Sequence, residues 1–282
     1  MAFLFYFDDM NFAVLNGKFI EAANASLSIN DHSYRYGDGL FETMKVVDGT
    51  ILFKEYHFER LFSGLNTLKF SRPSLFTQQK IEEEIKKLCQ KNNSEKLARV
   101  RLSVSRGNGG LYDCDNKFSY LIECWSLEQK GLNENGLIID IYPDARKSID
   151  TFSNLKSANY LPYAMAAVWA KENKLNEALI LNSKENICDA TIANVFWVKN
   201  NKIFTPPLTE GCVNGVMRRK ILEIDKKIIQ EPLTEDILSD SDEVFLTNVI
   251  TSIRWVGQFR NKKYTNTIAG KIFTEVSQTI HG

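Results

Sequence analysis

Lys156 stands in Ser153-Asn154-Leu155-Lys156-Ser157-Ala158-Asn159-Tyr160-Leu161-Pro162, just before a stretch of helical periodicity. Asp189 follows in Asp189-Ala190-Thr191-Ile192-Ala193-Asn194-Val195-Phe196, and Gly215-Val216-Met217-Arg218 comes after it. A lysine amine that sheds its proton attacks an aldehyde carbon and forms an imine. A carboxylate can hold a protonated pyridine nitrogen. The first amides of a helix lack partners inside it, so those of Val216 and Met217 can cradle a phosphate. In this order the three are the handles of pyridoxal phosphate. Each alone has an ordinary reading as well, a solvated surface lysine or a plainly capped helix.

His57-Phe58-Glu59-Arg60-Leu61 places Arg60 on a helix one turn after Tyr56, where it forms a surface ion pair or, if turned toward the second half of the chain, a phosphate clamp. For Lys156 to lose its proton near neutral pH, enclosure beside a cationic cofactor has to lower an ordinary pKa of about 10.4. Other chemistries find no support. His32, His57 and His281 are far apart and lack metal-ligand spacing. Gly37-Asp38-Gly39 and Arg106-Gly107-Asn108-Gly109-Gly110 read as tight turns, because neither continues into Gly-Lys-Ser/Thr nor completes Gly-x-Gly-x-x-Gly.

The elements that must position these residues follow from periodicity and turn chemistry. Asn16-Gly17 between Val14 and Phe19 predicts a hairpin, and Asp48-Gly49 repeats the device between Thr43 to Val47 and Ile51 to Phe53. Lys54 to Leu68 carries Phe58, Leu61, Phe62, Leu65 and Leu68 at helical spacing. Ser74 to Gln90 predicts a second helix with Glu82-Glu83-Glu84 as its solvated face. Leu97 to Ser105 and Phe118 to Cys124 read as strands. Antiparallel strands with helices on one side make a small α+β domain over residues 1–128. Gln129 to Gly136 is polar and glycine-containing and reads as the linker. A large cofactor-binding domain spans residues 137–282. Its strands are Leu137 to Tyr142, Glu177 to Leu181, Val195 to Val198, Lys202 to Thr205 and Glu243 to Leu246. Its helices are Tyr160 to Lys171, Gly215 to Ile224 with Asn214 as N-cap, and Thr267 to Ser277.

Composition narrows the partners. The chain has 282 residues, with 35 basic and 35 acidic side chains and no long basic run. That gives no footprint for nucleic acid or an anionic membrane and suits an enzyme of small metabolites. Five cysteines, odd in number and without a Cys-x-x-Cys pair, indicate reduced thiols in the cytoplasm, with neither a disulfide framework nor a zinc site. No run approaches the roughly 18 to 20 apolar residues of a membrane span. Residues 1–9 read as a tail ahead of a start at Met10.

With these residues in view, the chain resembles the class IV aminotransferases, the fold type IV pyridoxal-phosphate enzymes that include branched-chain aminotransferases, D-amino acid aminotransferases and 4-amino-4-deoxychorismate lyases. The resemblance runs from about Val14 to the C-terminus. The family signature is Glu-x-x-x-x-Asn-Val/Leu-Phe, then apolar-x-Thr, then apolar-x-Gly-apolar-x-Arg/Lys. Here it reads Asp189 to Phe196, Ile203-Phe204-Thr205 and Val213-Asn214-Gly215-Val216-Met217-Arg218. The resemblance implies a two-domain D-amino acid aminotransferase-like fold, α+β with α/β, working as a homodimer. It implies that Lys156 bonds to pyridoxal 5'-phosphate and then shuttles a proton. Arg60, the amides of Val216 and Met217, and the loop carrying Val249 and Ile250 would hold the phosphate, and Tyr160 would touch the ring. The family glutamate is Asp189 here, shorter in reach by on the order of 1.5 Å. Hence either the cofactor sits closer or the electron sink is weaker, and a cofactor binder without activity stays an alternative.

Thr43, in Gly39-Leu40-Phe41-Glu42-Thr43, takes a place that is usually glycine in the branched-chain enzymes and valine in the D-amino acid enzymes; threonine resembles the lyases. A hydroxyl suits a reaction that handles a proton at a leaving enol-ether oxygen. Leu111 and Asp113 fall where D-amino acid enzymes carry a substrate-trapping arginine and histidine, which argues against that activity. Arg101 or Arg106 would bind a substrate carboxylate, or else they are strand-edge charges. The expectation is a 4-amino-4-deoxychorismate lyase of folate synthesis, acting on a small-molecule amino substrate. The alternative is a transaminase of branched-chain or related L-amino acids using 2-oxoglutarate.

Overall fold

In the computed structural model, which describes residues 10–128 and 131–281, Asn16 and Gly17 both take positive φ (51° and 82°) and join β1 (Phe12–Leu15) to β2 (Lys18–Glu21). Two successive left-handed residues match the twist of an antiparallel pair, which is why Asn-Gly serves there. Asp31 caps the short α1 (His32–Tyr36), and Gly37 ends it at φ 67°. Then come β3 (Gly39–Val47), β4 (Thr50–Ile51), α2 (Lys54–Thr67), α3 (Gln78–Lys91), β5 (Leu97–Ser105) and β6 (Ser119–Ser126). The six strands form one antiparallel sheet in the order β2-β1-β6-β5-β3-β4.

Strand alternation sorts that sheet into two faces. Leu40, Met44, Val46, Val100 and Leu102 pack against Phe58, Leu61 and Leu65 of α2 and Ile81, Ile85 and Leu88 of α3. Each such side chain contributes about 1.5–3 kcal/mol by burial. Phe41, Thr43, Arg101 and Ser103 lie on the opposite face. Two expectations need correction. α3 begins at Gln78 because the Thr77 hydroxyl accepts from Lys80 N. Glu84 is not on a solvated face: it is buried and accepts the Tyr120 hydroxyl at 3.0 Å, and burial raises its carboxyl above the usual range.

The chain forms two compact units, and the first of them, beyond residues 10–128, takes in residues 155–160. The main chain shows why: Phe41 N donates to Lys156 O at 3.0 Å and Ala158 N to Gly39 O at 2.8 Å. The Lys156 segment is thus an addition to β3. The readings of residues 1–9 as a tail and of 129–130 within the linker lie outside the described residues.

The second unit holds residues 131–154 and 161–281. Its elements are β7 (Leu137–Lys147), α4 (Leu161–Glu172), β8 (Glu177–Asn182), β9 (Ile187–Ala190), β10 (Asn194–Lys199), β11 (Lys202–Thr205), α5 (Val216–Ile224), β12 (Ile229–Gln230), α6 (Glu235–Asp240), β13 (Glu243–Asn248), β14 (Ser252–Phe259), β15 (Lys262–Lys263) and α7 (Thr267–His281). Its sheet runs β12-β11-β10-β13-β14-β7-β8-β9, with β15 on β14. The β14–β7, β7–β8 and β11–β12 pairs are parallel and the others antiparallel, so the sheet is mixed. β8 is buried at every position, as a strand covered on both faces should be. β14 escapes a hydrophobic reading because Arg254, Gln258 and Gly257 interrupt it. Gly257 belongs to a close approach of two main chains: a Cβ on Gly136 would overlap its Cα. Among the described residues, no helix is long and apolar enough to cross a membrane.

Candidate active site

In the first unit, Lys156 Nζ lies 4.5 Å from the Phe41 ring centroid and 5.8 Å from that of Tyr160, and the two rings meet edge to face at 5.6 Å. The guanidinium of Arg101 covers the Phe41 ring at 3.9 Å. Arg101 stands directly opposite Thr43 in the β3–β5 ladder, so the two side chains share one face and neighbour each other. Its Nε donates to Ser103 Oγ at 3.0 Å and lies 3.9 Å from Glu123. Burial lowers the Arg101 pKa, which leaves it a guanidinium at neutral pH. Lys156, Tyr160, Thr43 and Arg101 are therefore gathered around Phe41. Arg106 is occupied elsewhere. It donates to Asp38 at 2.6 Å and to the carbonyls of Leu68 and Lys69, and it covers Phe70. Those bonds anchor a loop, whereas the side-chain hydrogen bond that Arg101 donates goes to Ser103. Asp113 likewise serves its own loop, accepting Gly110 N at 2.8 Å.

Arg60 is no surface residue. Its Nε and Nη2 donate to the two oxygens of Glu42 at 2.8 and 2.5 Å, and His57 Nδ1 lies 2.6 Å from the same carboxylate. Glu42 and His57 are both buried. Burial would raise the Glu42 carboxyl, but Arg60 and His57 outweigh it and hold it down at about 2. For His57 burial wins over the pull of Glu42 and lowers the imidazole pKa. A neutral ring then donates from Nδ1, and its buried Nε2 has no hydrogen-bond partner. The arrangement fixes the Arg60 guanidinium on the helix turn where sequence placed it.

In the second unit, β9 delivers Asp189 into a nearly closed setting, 2 % exposed. Its Oδ2 accepts Lys147 Nζ at 3.0 Å, Tyr163 Oη at 2.8 Å and Val213 N at 3.0 Å, while Oδ1 accepts Asn194 Nδ2 at 3.0 Å. Asn194 Nδ2 also donates to Val213 O at 2.8 Å, which ties the loop before α5 to the carboxylate. Asn154 Nδ2 braces the same loop through the carbonyls of Leu208 and Cys212. The N-cap of α5 is Gly215 rather than Asn214, with no side-chain cap; Asn214 N instead donates to Asn154 O at 3.1 Å. Gly215 is required, because a Cβ there would collide with Asn194 Oδ1. Helix geometry frees the amides of Val216 and Met217 from intrahelical bonding, as an anion site needs.

The loop after β13 is organised by Asn248 Oδ1, which accepts Ile250 N (3.0 Å), Thr251 N (2.8 Å) and Thr251 Oγ1 (3.0 Å). The Ile250 amide is therefore engaged inside its own turn. Thr247 pairs directly with Asn194 across β13 and β10, and its buried hydroxyl has no hydrogen-bond partner, nor has that of Ser252. Such orphaned hydroxyls suit a polar ligand. Arg218, the last residue of the signature, is buried and donates to Pro206 O and Gln230 Oε1, a packing role. Burial, with the charge of Asp189 adding to it, pushes the Cys212 thiol up to about 12, so it is no nucleophile. No metal-ligand cluster occurs among the described residues. Sequence reasoning missed Lys147, Tyr163 and Glu42, because each meets its partner across a large separation in the chain.

Comparison with known proteins fits this geometry. The model of the amino-transferase class IV family matches residues 39–259. The "Aminodeoxychorismate lyase" of Bacillus subtilis (strain 168) is 30 % identical over 85 % of this chain and 83 % of its own length. A Methanocaldococcus jannaschii protein, whose name places it provisionally among the branched-chain-amino-acid aminotransferases, is 29 % identical over 94 % of this chain and 93 % of its own. The crystal structure of the branched-chain amino acid aminotransferase from Thermobaculum terrenum, in its PLP-bound holo-form, superposes with a TM-score of 0.85 at 18 % identity, covering 96 % of this chain and 94 % of that one. The fold is thus the expected type IV, D-amino acid aminotransferase-like one, and the chain belongs to the class IV aminotransferase family.

Proposed function

We propose that this protein is a pyridoxal-phosphate-dependent lyase that converts 4-amino-4-deoxychorismate to 4-aminobenzoate and pyruvate. The observation that carries the reading is the pairing of Thr43 with Arg101 on the sheet face where Lys156 Nζ lies over Phe41. When bound, the cofactor supplies an electron sink for the bond that breaks. Lys156 would hold the cofactor through its amine and, as a free base, would take the proton from the amine-bearing carbon of the substrate. Thr43 would relay to the enol-ether oxygen, as pyruvate leaves, the proton that Lys156 has taken, and Arg101 would hold a substrate carboxylate. Arg60, the amides of Val216 and Met217, and the turn carrying Val249 and Ile250, reoriented from its bond to Asn248, would hold the phosphate. Tyr160 would border the ring, and Asp189 would accept from its protonated nitrogen. The orphaned Thr247 hydroxyl and the uncapped α5 fit such a cofactor. Placement in the cytoplasm rests on the cysteine pattern, and a homodimeric state and a part in folate synthesis rest on family likeness.

Transamination of branched-chain L-amino acids with 2-oxoglutarate is the second reading, favoured by the larger share of the Methanocaldococcus jannaschii relative that aligns. It needs the same proton abstraction by Lys156 but no hydroxyl at Thr43. Incubating the cofactor-loaded protein with 4-amino-4-deoxychorismate, without any keto acid, separates the two. The lyase gives pyruvate and 4-aminobenzoate in equal amounts over many turnovers. No product, with amino transfer to 2-oxoglutarate in a parallel sample, supports the transaminase instead.

A further inference from the structure

Asp189 is crowded on one of its two oxygens. Four hydrogen bonds end on this buried carboxylate, from Lys147, Tyr163, Val213 and Asn194. Three of them fall on Oδ2, which has two lone pairs, and only that of Asn194 falls on Oδ1, so the crowding is on Oδ2, where Lys147 is one of the three donors. The proposed function asks it to accept a fifth bond, from a protonated pyridine nitrogen.

The four donors differ in how readily they can give way. Val213 N is main chain, in the loop pinned by Asn154 and Asn194. Asn194 opens β10 and shares its amide between Asp189 and Val213. Tyr163 is a buried ring on α4. Lys147 differs from all three: it ends β7, and a flexible four-carbon stem carries its ammonium to Asp189, 5.4 Å from the Tyr163 ring centroid. It is also the one charged donor of the four. An ammonium and a pyridinium on one carboxylate repel each other while dividing a single negative charge.

We propose that Lys147 competes with the cofactor's ring nitrogen for Asp189. It is a positioning residue that neutralises the buried carboxylate when no cofactor is bound and loosens the enzyme's hold on the cofactor when one is. The inference rests on the reading that Asp189 takes the ring nitrogen.

Cofactor affinity tests it directly, by titrating the cofactor-free enzyme with pyridoxal 5'-phosphate and following absorbance. Lys147→Met removes the competitor and is expected to lower Kd about tenfold, an effect of the size that one rearranged buried charge pair produces. Melting curves give a second readout. The variant should lose stability only without cofactor, where Asp189 is left unpaired. An equal loss with and without cofactor, or an unchanged or raised Kd, overturns the proposal. If Lys147→Met does not fold, Lys147→Gln removes the same charge and must shift Kd in the same direction. Asp189→Asn separates the two claims. If it leaves Kd at the wild-type value, Asp189 does not serve the ring nitrogen and the underlying reading fails. If it weakens binding while Lys147→Met does not tighten it, only the competition fails.

Discussion

Thr43 is the residue on which the choice of reaction turns. Its hydroxyl neighbours Arg101 across the β3–β5 ladder and has no evident structural duty that valine, nearly the same shape, would fail to meet. Thr43→Val is expected to lower lyase turnover about 100-fold, the lower range for loss of a positioned proton donor, with cofactor absorbance unchanged. Thr43→Ser should restore much of the rate. His57 gives a prediction in pH. Burial holds its imidazole below the usual 6.5. The unfolded chain therefore binds a proton first as pH falls, and stability drops below about 6.5 toward the lowered folded value. Glu42 acts further down, its contribution complete above the usual 4.5 and lost as pH falls toward about 2. Urea unfolding at pH 7 and pH 5.5 should show the decline, and His57→Gln should flatten it; an unchanged slope in that variant would assign it to other groups. At this scale the roles proposed for Lys156 and Asp189 rest on a local motif that carries each. Lys147 was not legible in the sequence, since nothing near it in the chain announces that it meets a carboxylate 42 residues on.

Among the elements, α5 is the one whose start is most tightly specified. Gly215 sits against Asn194, and Asn194 in turn holds Asp189, so the helix N-terminus and the buried carboxylate share one brace. Gly215→Ala should push Asn194 aside and weaken pyridoxal phosphate binding at least tenfold, since it disturbs both attachment points at once. Unchanged affinity would detach α5 from the phosphate. Elements with strong periodicity or a turn signature were readable, as with α2 and the Asn16-Gly17 hairpin. β9 was not, because four residues ending in Asp189-Ala190 give no alternation to count. α1 is only five residues long, and its cap and glycine stop lie close together. The cap of α5 was misplaced by one residue because Asn214 is a good capping type, yet its main chain is claimed by Asn154.

Over the whole chain, 35 acidic and 35 basic residues leave no formal net charge. Two separate cores, one under the first sheet and one around Leu179 and Trp197, let each unit hold its own half of the proposed residues. The central claim is that this 32.3 kDa chain binds one pyridoxal phosphate through Lys156. Borohydride reduction of the loaded protein, followed by mass spectrometry of the intact chain and its peptides, tests it most directly. One phosphopyridoxyl group per chain, on the peptide containing Lys156 and absent from Lys156→Ala, is the predicted result. Label on another lysine, or none, would contradict it.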